Sequence, residues 1–163
     1  MTDDDLLRLA EQYAKERRGR IDSCLGAGTQ GSVYFLHLPS QIDAIAVKFH
    51  RREVAYQRER DVYLRLSDLD ISEVCGHEVP LLIHHDDQRL ALEMTTVSPP
   101  FVLDFGGAYL DQPPDYSPQV WADWEEEKSE QFEDNWPAVE EILAEFRLMG
   151  IYIADVNPGN IRF

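Results

Sequence analysis

The chain has little cysteine, little positive charge and no long hydrophobic run. Its two cysteines, Cys24 and Cys75, are too few for a disulfide framework and lack zinc-site spacing, so we expect a cytoplasmic protein with free thiols. No run approaches the roughly 20 apolar residues of a membrane helix, so no membrane partner is expected. The acidic start, MTDDDLLRLAEQ, is unlike a secretory signal or a transit peptide.

The shortage of positive charge bears on the choice of partner. The sequence has 15 Lys and Arg against 31 Asp and Glu, a formal net charge of −16 at pH 7. Phosphate backbones attract basic surfaces, so nucleic acid is not expected as a partner. Twelve acidic residues and one lysine fall in the acidic tract, residues 111–145. This tract is either a solvated surface or a docking surface for a basic protein partner.

The residues that are present are those of a folded domain. The 163 residues are 44% hydrophobic and 10% aromatic, which suffices for one domain with a buried core. Local patterns predict a helix, three strands, a second helix, two strands, a linker, a third helix and a final loop.

A glycine-rich segment separates the first two predicted strands. It reads GAGTQGSV and fits the pattern G-x-G-x-x-G-x-V. The pattern positions are Gly26, Gly28, Gly31 and Val33. Dinucleotide-binding folds open a helix at the third glycine, whereas here the strand-like segment SVYFLHL follows. The segment is either a hairpin that folds its backbone N–H groups over the phosphates of ATP or an ordinary hairpin turn.

A lysine and a glutamate follow at positions that suit the same ligand. Lys48 ends the third predicted strand, where its ammonium group can reach the phosphates of a nucleotide. Glu59 shares a helical face with Val62 and Leu66, and a carboxylate in an apolar stripe requires a cationic partner. Glu53 faces another side of that helix. We therefore predict that Glu59, and not Glu53, pairs with Lys48.

The segment DVNPGN lies near the end of the sequence. Asp155 and Asn160 have the spacing at which a carboxylate can receive a hydroxyl proton while an amide oxygen binds magnesium. The intervening Asn-Pro-Gly is turn chemistry, which allows both side chains to face one point. An isolated string of this kind could equally be a surface turn, but it follows a predicted helix and the three motifs above.

These motifs together resemble the protein kinase-like superfamily, over roughly residues 21–163. The resemblance implies an α+β fold: a kinase-like N-lobe of five antiparallel strands plus a helix, then a much reduced helical C-lobe that ends at the catalytic loop. We expect one kinase-like domain over residues 1–163. Its parts would be an N-terminal helix (1–19), the N-lobe (20–97) and the reduced C-lobe (98–163).

The same resemblance implies roles for individual residues. Lys48 would pair with Glu59, Asp155 would be the catalytic base, and Asn160 would bind a metal ion. ATP and Mg²⁺ would be the cofactors. Adenine would contact the backbone of the hinge-like segment that follows the fifth strand. The contact is expected at Glu93, Met94 and Thr95, with Leu92 beside the adenine pocket.

The resemblance departs from the kinase pattern in two respects. The catalytic-loop segment DVNPGN has no lysine after the aspartate, as in atypical, aminoglycoside-type and small bacterial kinases, and Ile153 and Ala154 replace the usual His-Arg pair. Kinases carry a metal-binding Asp-Phe-Gly after the catalytic loop, but this sequence has it earlier, beginning at Asp104, and ends three residues beyond Asn160. The early Asp-Phe-Gly is either a coincidence or a permuted metal ligand on a strand that lies beside residues 160–163.

Two functions are consistent with these patterns. The first is an ATP- and Mg²⁺-dependent phosphotransferase that acts on a protein or small-molecule hydroxyl. Intact Lys48, Glu59, Asp155 and Asn160 favour it. The alternative is a truncated pseudokinase that serves as a nucleotide-binding or partner-binding regulatory module, which the absence of a substrate-binding lobe favours.

Overall fold

The computed structural model describes the whole chain, Met1–Phe163, and has an α+β architecture. Its helices are α1 (Asp3–Glu16), α2 (Glu53–Asp68), α3 (Pro118–Phe132) and α4 (Trp136–Leu148). Its strands are β1 (Arg20–Ala27), β2 (Gly31–His37), β3 (Ile45–His50), β4 (Glu73–Val74), β5 (His77–Glu78), β6 (Leu82–Asp86), β7 (Ala91–Met94), β8 (Phe101–Val102), β9 (Ala108–Leu110), β10 (Ile151–Ile153) and β11 (Ile161–Arg162). None of the helices combines the length and the apolar character that a membrane crossing requires.

The largest sheet has five antiparallel strands in the order β1-β2-β3-β7-β6. The predicted α+β class and the predicted five-stranded antiparallel sheet are therefore confirmed. Strand β3 is buried at all six positions because both of its faces are covered. Val47 and Phe49 pack in a core with α1, whereas Ala46 packs in the core that contains α2 and α4. Lys48 therefore points to the α2 side, as Ala46 does.

Helix α1 covers the outer face of this sheet. It begins with a capping box, in which the Thr2 hydroxyl accepts from the Asp5 N–H and the Asp5 carboxylate accepts from the Thr2 N–H. Its buried side chains Leu6, Ala10 and Tyr13 have helical spacing and pack against the sheet. Both cysteines are exposed and free, as predicted.

The second half of the chain forms two small sheets around α4. One has the order β11-β8-β5-β4, and the other pairs β9 with β10. Ile161 lies opposite Val102 in the antiparallel β8–β11 pair, and the Leu103 N–H donates to the Asn160 carbonyl at 2.9 Å. The strand β8, which precedes Asp-Phe-Gly, therefore lies beside residues 160–162, an arrangement that the sequence left open.

The sequence analysis missed several elements in this half. The acidic tract contains the helix α3, which begins at Pro118 after an N-cap in which the Ser117 hydroxyl accepts from the Val120 N–H. The strands β4, β5, β9, β10 and β11 have two or three residues each, too few to show a period-2 pattern. Residues 98–163 therefore contain short strands besides the helices of the predicted reduced C-lobe.

Candidate functional site

A cavity of about 670 Å³ lies between the β1–β2 hairpin, the inner face of the large sheet and the β8–β11 pair. Its lining brings together residues from sequence positions that are far apart. Every predicted site residue except Leu92 and Glu93 contributes. These residues are Gly26, Gly28, Gly31, Val33, Lys48, Glu59, Met94, Thr95, Asp104, Asp155 and Asn160.

The glycine-rich segment is a hairpin between two strands. Gly26 pairs with Val33, and the Gly28 N–H donates to the Gly31 carbonyl at 2.9 Å. Gly31 is required by packing, because an added Cβ would lie 2.0 Å from the Phe49 carbonyl oxygen on β3. An added Cβ at Gly26 or Gly28 would meet no atom within 4 Å, and neither residue has a positive φ. Neither packing nor backbone conformation therefore requires glycine at these two positions.

Lys48 and Glu59 form a buried ion pair at the inner end of the cavity. The Lys48 Nζ lies 2.7 Å from the Glu59 Oε2, and the two side chains are 8% and 1% exposed. Glu53 is exposed and accepts a hydrogen bond from Gln57 on its own helix. The predicted choice of Glu59 over Glu53 is confirmed. The Glu59 carboxylate lies in the apolar stripe of α2 because a cation on β3 compensates its burial.

His50 is a third member of this cluster that the sequence analysis missed. Its Nε2 lies 2.6 Å from the Glu59 Oε2, and its Nδ1 donates to the Leu90 carbonyl at 3.1 Å. The Glu59 Oε2 therefore has two nitrogen contacts, the Lys48 Nζ at 2.7 Å and the His50 Nε2 at 2.6 Å. The signal was available: Lys48 and His50 are two positions apart on one strand, and so share a face.

The cluster controls the ionisation of its members. Burial raises the pKa of Glu59. The charge of Lys48 and the hydrogen bond from His50 together outweigh burial and lower this pKa to about 2. Burial lowers the pKa of Lys48, but Glu59 and Asp104 outweigh this effect and hold it above the ordinary value. Both groups are therefore charged at neutral pH, and Lys48 presents a positively charged ammonium group at the end of the cavity.

Replacing Glu59 with glutamine is expected to lower the free energy of unfolding by about 3 kcal/mol at neutral pH, because Lys48 loses its buried partner. The ionised carboxylate stabilises the fold above its ordinary pKa of 4.5, and this contribution is lost as the pH falls towards about 2. The difference between the wild type and Glu59→Gln in urea unfolding should therefore shrink over that interval. The control Glu53→Gln, at an exposed position, should stay within about 0.5 kcal/mol of the wild type. A difference that does not change with pH would contradict the assignment.

Asp104 lies beside Lys48 in the same cavity. Its Oδ1 accepts from the Lys48 Nζ at 2.9 Å and from the Gly106 N–H at 3.4 Å, while its Oδ2 has no hydrogen-bond partner. The residue has φ of 70°, a left-handed conformation that aspartate tolerates better than most residues. Asp104 follows β8 and Asn160 precedes β11, so strand pairing brings these two polar side chains to one end of the cavity.

Asp155 lies on the exposed side of the cavity, and its surroundings fix the loop that carries it. The Trp124 Nε1 donates to the carbonyl of Ala154 at 2.8 Å, so the acidic helix α3 holds the preceding residue. An added Cβ at Gly107 would lie 2.6 Å from the Asp155 Cβ, so this glycine allows the loop to approach. The Gln30 Nε2 lies 3.5 Å from the Asp155 Oδ2.

The hinge-like segment differs from the expectation in detail. Glu93 does not line the cavity, because it lies on the opposite face of β7 from Met94 and accepts hydrogen bonds from Tyr13 and Arg17 of the α1 region. Leu92 is buried in the core and does not reach the cavity either. The Thr95 N–H donates to the Leu81 carbonyl at 2.9 Å.

The next two residues, Thr96 and Val97, line the cavity and make no main-chain hydrogen bonds. Their backbone groups are therefore free to bind a ligand, as is the carbonyl of Thr95 at the end of the segment where the contact is predicted.

No group of three or more His, Cys, Asp or Glu side chains is arranged to hold a metal ion. Comparisons with protein-family profiles, curated proteins and solved structures find no match for this chain.

Proposed function

We propose that the protein is an ATP-dependent phosphotransferase with a kinase-like fold. One observation carries the proposal: the buried Lys48–Glu59 pair presents a fixed ammonium group to a cavity that a glycine-rich hairpin borders. A pair of oppositely charged groups is costly to bury, and a site that binds phosphate gives a reason to keep the lysine in place. The resemblance in the order of the motifs supports the same conclusion.

The cavity has features that suit each part of a nucleotide. Packing does not require glycine at positions 26 and 28. Glycine at these positions lets a phosphate group approach the backbone N–H groups of the hairpin closely. The free backbone groups of Thr96 and Val97 suit the hydrogen-bonding edge of adenine, and the apolar side chain of Met94 lines the same region. Lys48 would then bind the α- and β-phosphates.

The proposed reaction transfers the terminal phosphoryl group to a hydroxyl. The acceptor oxygen forms a bond to the γ-phosphorus, and its proton passes to the Asp155 carboxylate. The bond from the γ-phosphorus to the bridging oxygen of the β-phosphate breaks, and ADP leaves with the electron pair. Asp155 is exposed on the open side of the cavity, which gives an acceptor access to it. The acceptor can be a protein or a small molecule, because the reaction requires only its hydroxyl group.

The donor atoms present fit a magnesium ion bound together with a nucleotide. The Asp104 Oδ2 has no hydrogen-bond partner and the Asn160 side chain lines the same cavity, so one carboxylate and one amide oxygen are available. Magnesium usually combines one or two carboxylates with substrate phosphates and water, so a cage of protein carboxylates is not required. When bound, the ion would neutralise charge on the phosphate oxygens.

The alternative function is a nucleotide-binding regulatory module without phosphotransfer. The absence of a cluster of three metal-ligating side chains favours it, because Asp104 is the one carboxylate here that can serve as a ligand while Asp155 acts as a base. Such a module would bind nucleotide equally well with and without magnesium. The dependence of binding on magnesium therefore separates the two functions.

Wild-type protein is expected to unfold at a higher temperature with Mg-ATP, with a gain of about 2.7 kcal/mol when the ligand is at 100 times its dissociation constant. Gly28→Val should unfold near the wild-type temperature without nucleotide, because an added Cβ at this position meets no atom within 4 Å. The same variant should show no stabilisation by Mg-ATP, since the side chain fills the space over which the phosphates bind. A wild type without stabilisation at millimolar Mg-ATP, or a Gly28→Val variant that is stabilised equally, would contradict the proposal.

A further inference from the structure

The side chain of Gln30 connects the tip of the glycine-rich hairpin to the loop that carries Asp155. Its amide nitrogen lies 3.5 Å from the Asp155 Oδ2. The main-chain carbonyl of the same residue accepts from the Arg51 N–H at 2.9 Å, so the tip is also fixed to the chain just after β3. Gln30 thus joins the hairpin to both sides of the cavity.

The chain makes room for this glutamine at Gly106. An added Cβ there would lie 1.8 Å from the Gln30 Oε1 and 2.9 Å from its Cδ. The backbone of Gly106 is not in the left-handed region, so alanine would adopt the same conformation. A side chain at position 106 would therefore displace the Gln30 amide.

The contact is not one that stabilises the fold strongly. The Gln30 Oε1 is buried without a hydrogen-bond partner, and leaving a buried acceptor unpaired costs free energy. The side-chain amide of Gln30 therefore has a partner for its nitrogen and none for its oxygen. A residue that lowers stability in this way is expected at a functional site, where the position of a side chain matters more than its contribution to the stability of the fold.

We propose that Gln30 is a positioning residue that latches the glycine-rich hairpin onto Asp155 and orients that carboxylate. The inference rests on the proposed function, in which Asp155 receives the proton of the acceptor hydroxyl. With the Gln30 amide against Oδ2, the other oxygen of Asp155 faces no protein partner and is left for the acceptor. The latch also couples the two halves of the site, because the element that borders the phosphates and the element that carries the base become one unit.

Three single variants and one double variant test the positioning role. Gln30→Ala removes the amide, Gln30→Glu keeps the shape but removes the donor, and Gly106→Ala displaces the amide from the other side. Each should lower kcat by about tenfold to a hundredfold, with the KM for ATP changed less than about twofold, because a small misplacement of a catalytic group is costly. Gln30→Ala/Gly106→Ala should be no slower than the slower single variant, since both remove one contact. The control Gln41→Ala, in the exposed β2–β3 loop, should match the wild type.

Hydrogen exchange on the nucleotide-free protein tests the latch separately. The amides of Gly28 and Arg51, whose hydrogen bonds close the hairpin tip, should exchange faster in Gln30→Ala and Gly106→Ala than in the wild type. Wild-type kcat in Gln30→Ala, or additive losses in the double variant, would overturn the positioning role. If the wild type neither binds nor turns over ATP, the proposed function fails, and exchange alone decides the latch: faster exchange supports it and unchanged exchange overturns it.

Discussion

Asp155→Asn is expected to lower kcat by about a thousandfold while binding of Mg-ATP stays at the wild-type level. The amide cannot accept the proton of the acceptor hydroxyl, and general-base catalysis contributes on the order of 10² to 10⁴ in rate. Nucleotide binding should survive, because the proposed phosphate contacts come from the hairpin and Lys48 on the inner side of the cavity. Asp155 is exposed, so the change should leave the fold intact.

The measurement is single-turnover phosphoryl transfer together with calorimetric titration of Mg-ATP. Asp134→Asn provides a matched control, because Asp134 is exposed and lies outside the cavity in the acidic tract. If Asp155→Asn turns over at the wild-type rate, another group accepts the proton. If Asp155→Asn also loses nucleotide binding, Asp155 contributes to binding of the phosphates and not to activation of the acceptor hydroxyl.

Asp104→Asn is expected to abolish transfer while the protein remains folded. An asparagine oxygen can still accept from Lys48, so the local hydrogen bonds survive, but the negative charge that holds a metal ion is lost. Metal ions stabilise the charge of a transition state by several kcal/mol, so kcat should fall by at least about a hundredfold. Binding of the nucleotide should also lose its dependence on magnesium.

Asp70→Asn is the matched control for this variant. Asp70 shares the left-handed backbone conformation of Asp104 but follows α2, outside the cavity. Transfer rates measured over a range of magnesium concentrations distinguish a weakened metal site from a damaged fold. Turnover like that of the wild type at every magnesium concentration would end the permuted-ligand hypothesis.

The parts of the site that the sequence predicted depend on local patterns. The glycine spacing followed by a strand predicts the hairpin, and the 3.6-residue stripe of α2 selects Glu59 over Glu53. Glu59 is then the expected partner of Lys48 on the buried strand β3. The five antiparallel strands follow from runs of β-branched and aromatic residues between glycine-rich and polar turns, which operate over the same local distances.

The parts that the sequence did not predict depend on long-range contacts. Asp104 and Asn160 line the same cavity because two strands of two residues each pair with one another, and such strands carry no periodic signal. Gln30 contacts Asp155, 125 positions away in sequence, so only the fold brings these two residues together. The helix α3 is rich in acidic residues, and its attachment through Trp124 to the Asp155 loop cannot be inferred from composition.

The most direct test of the account is a crystal structure of the protein with a non-hydrolysable ATP analogue and Mg²⁺. The account predicts adenine against the backbone of Thr96 and Val97, and phosphates between the glycine-rich hairpin and Lys48. It also predicts a metal ion that contacts both Asp104 and Asn160. An analogue bound elsewhere, or crystals grown at saturating analogue in which this cavity holds none, would contradict it.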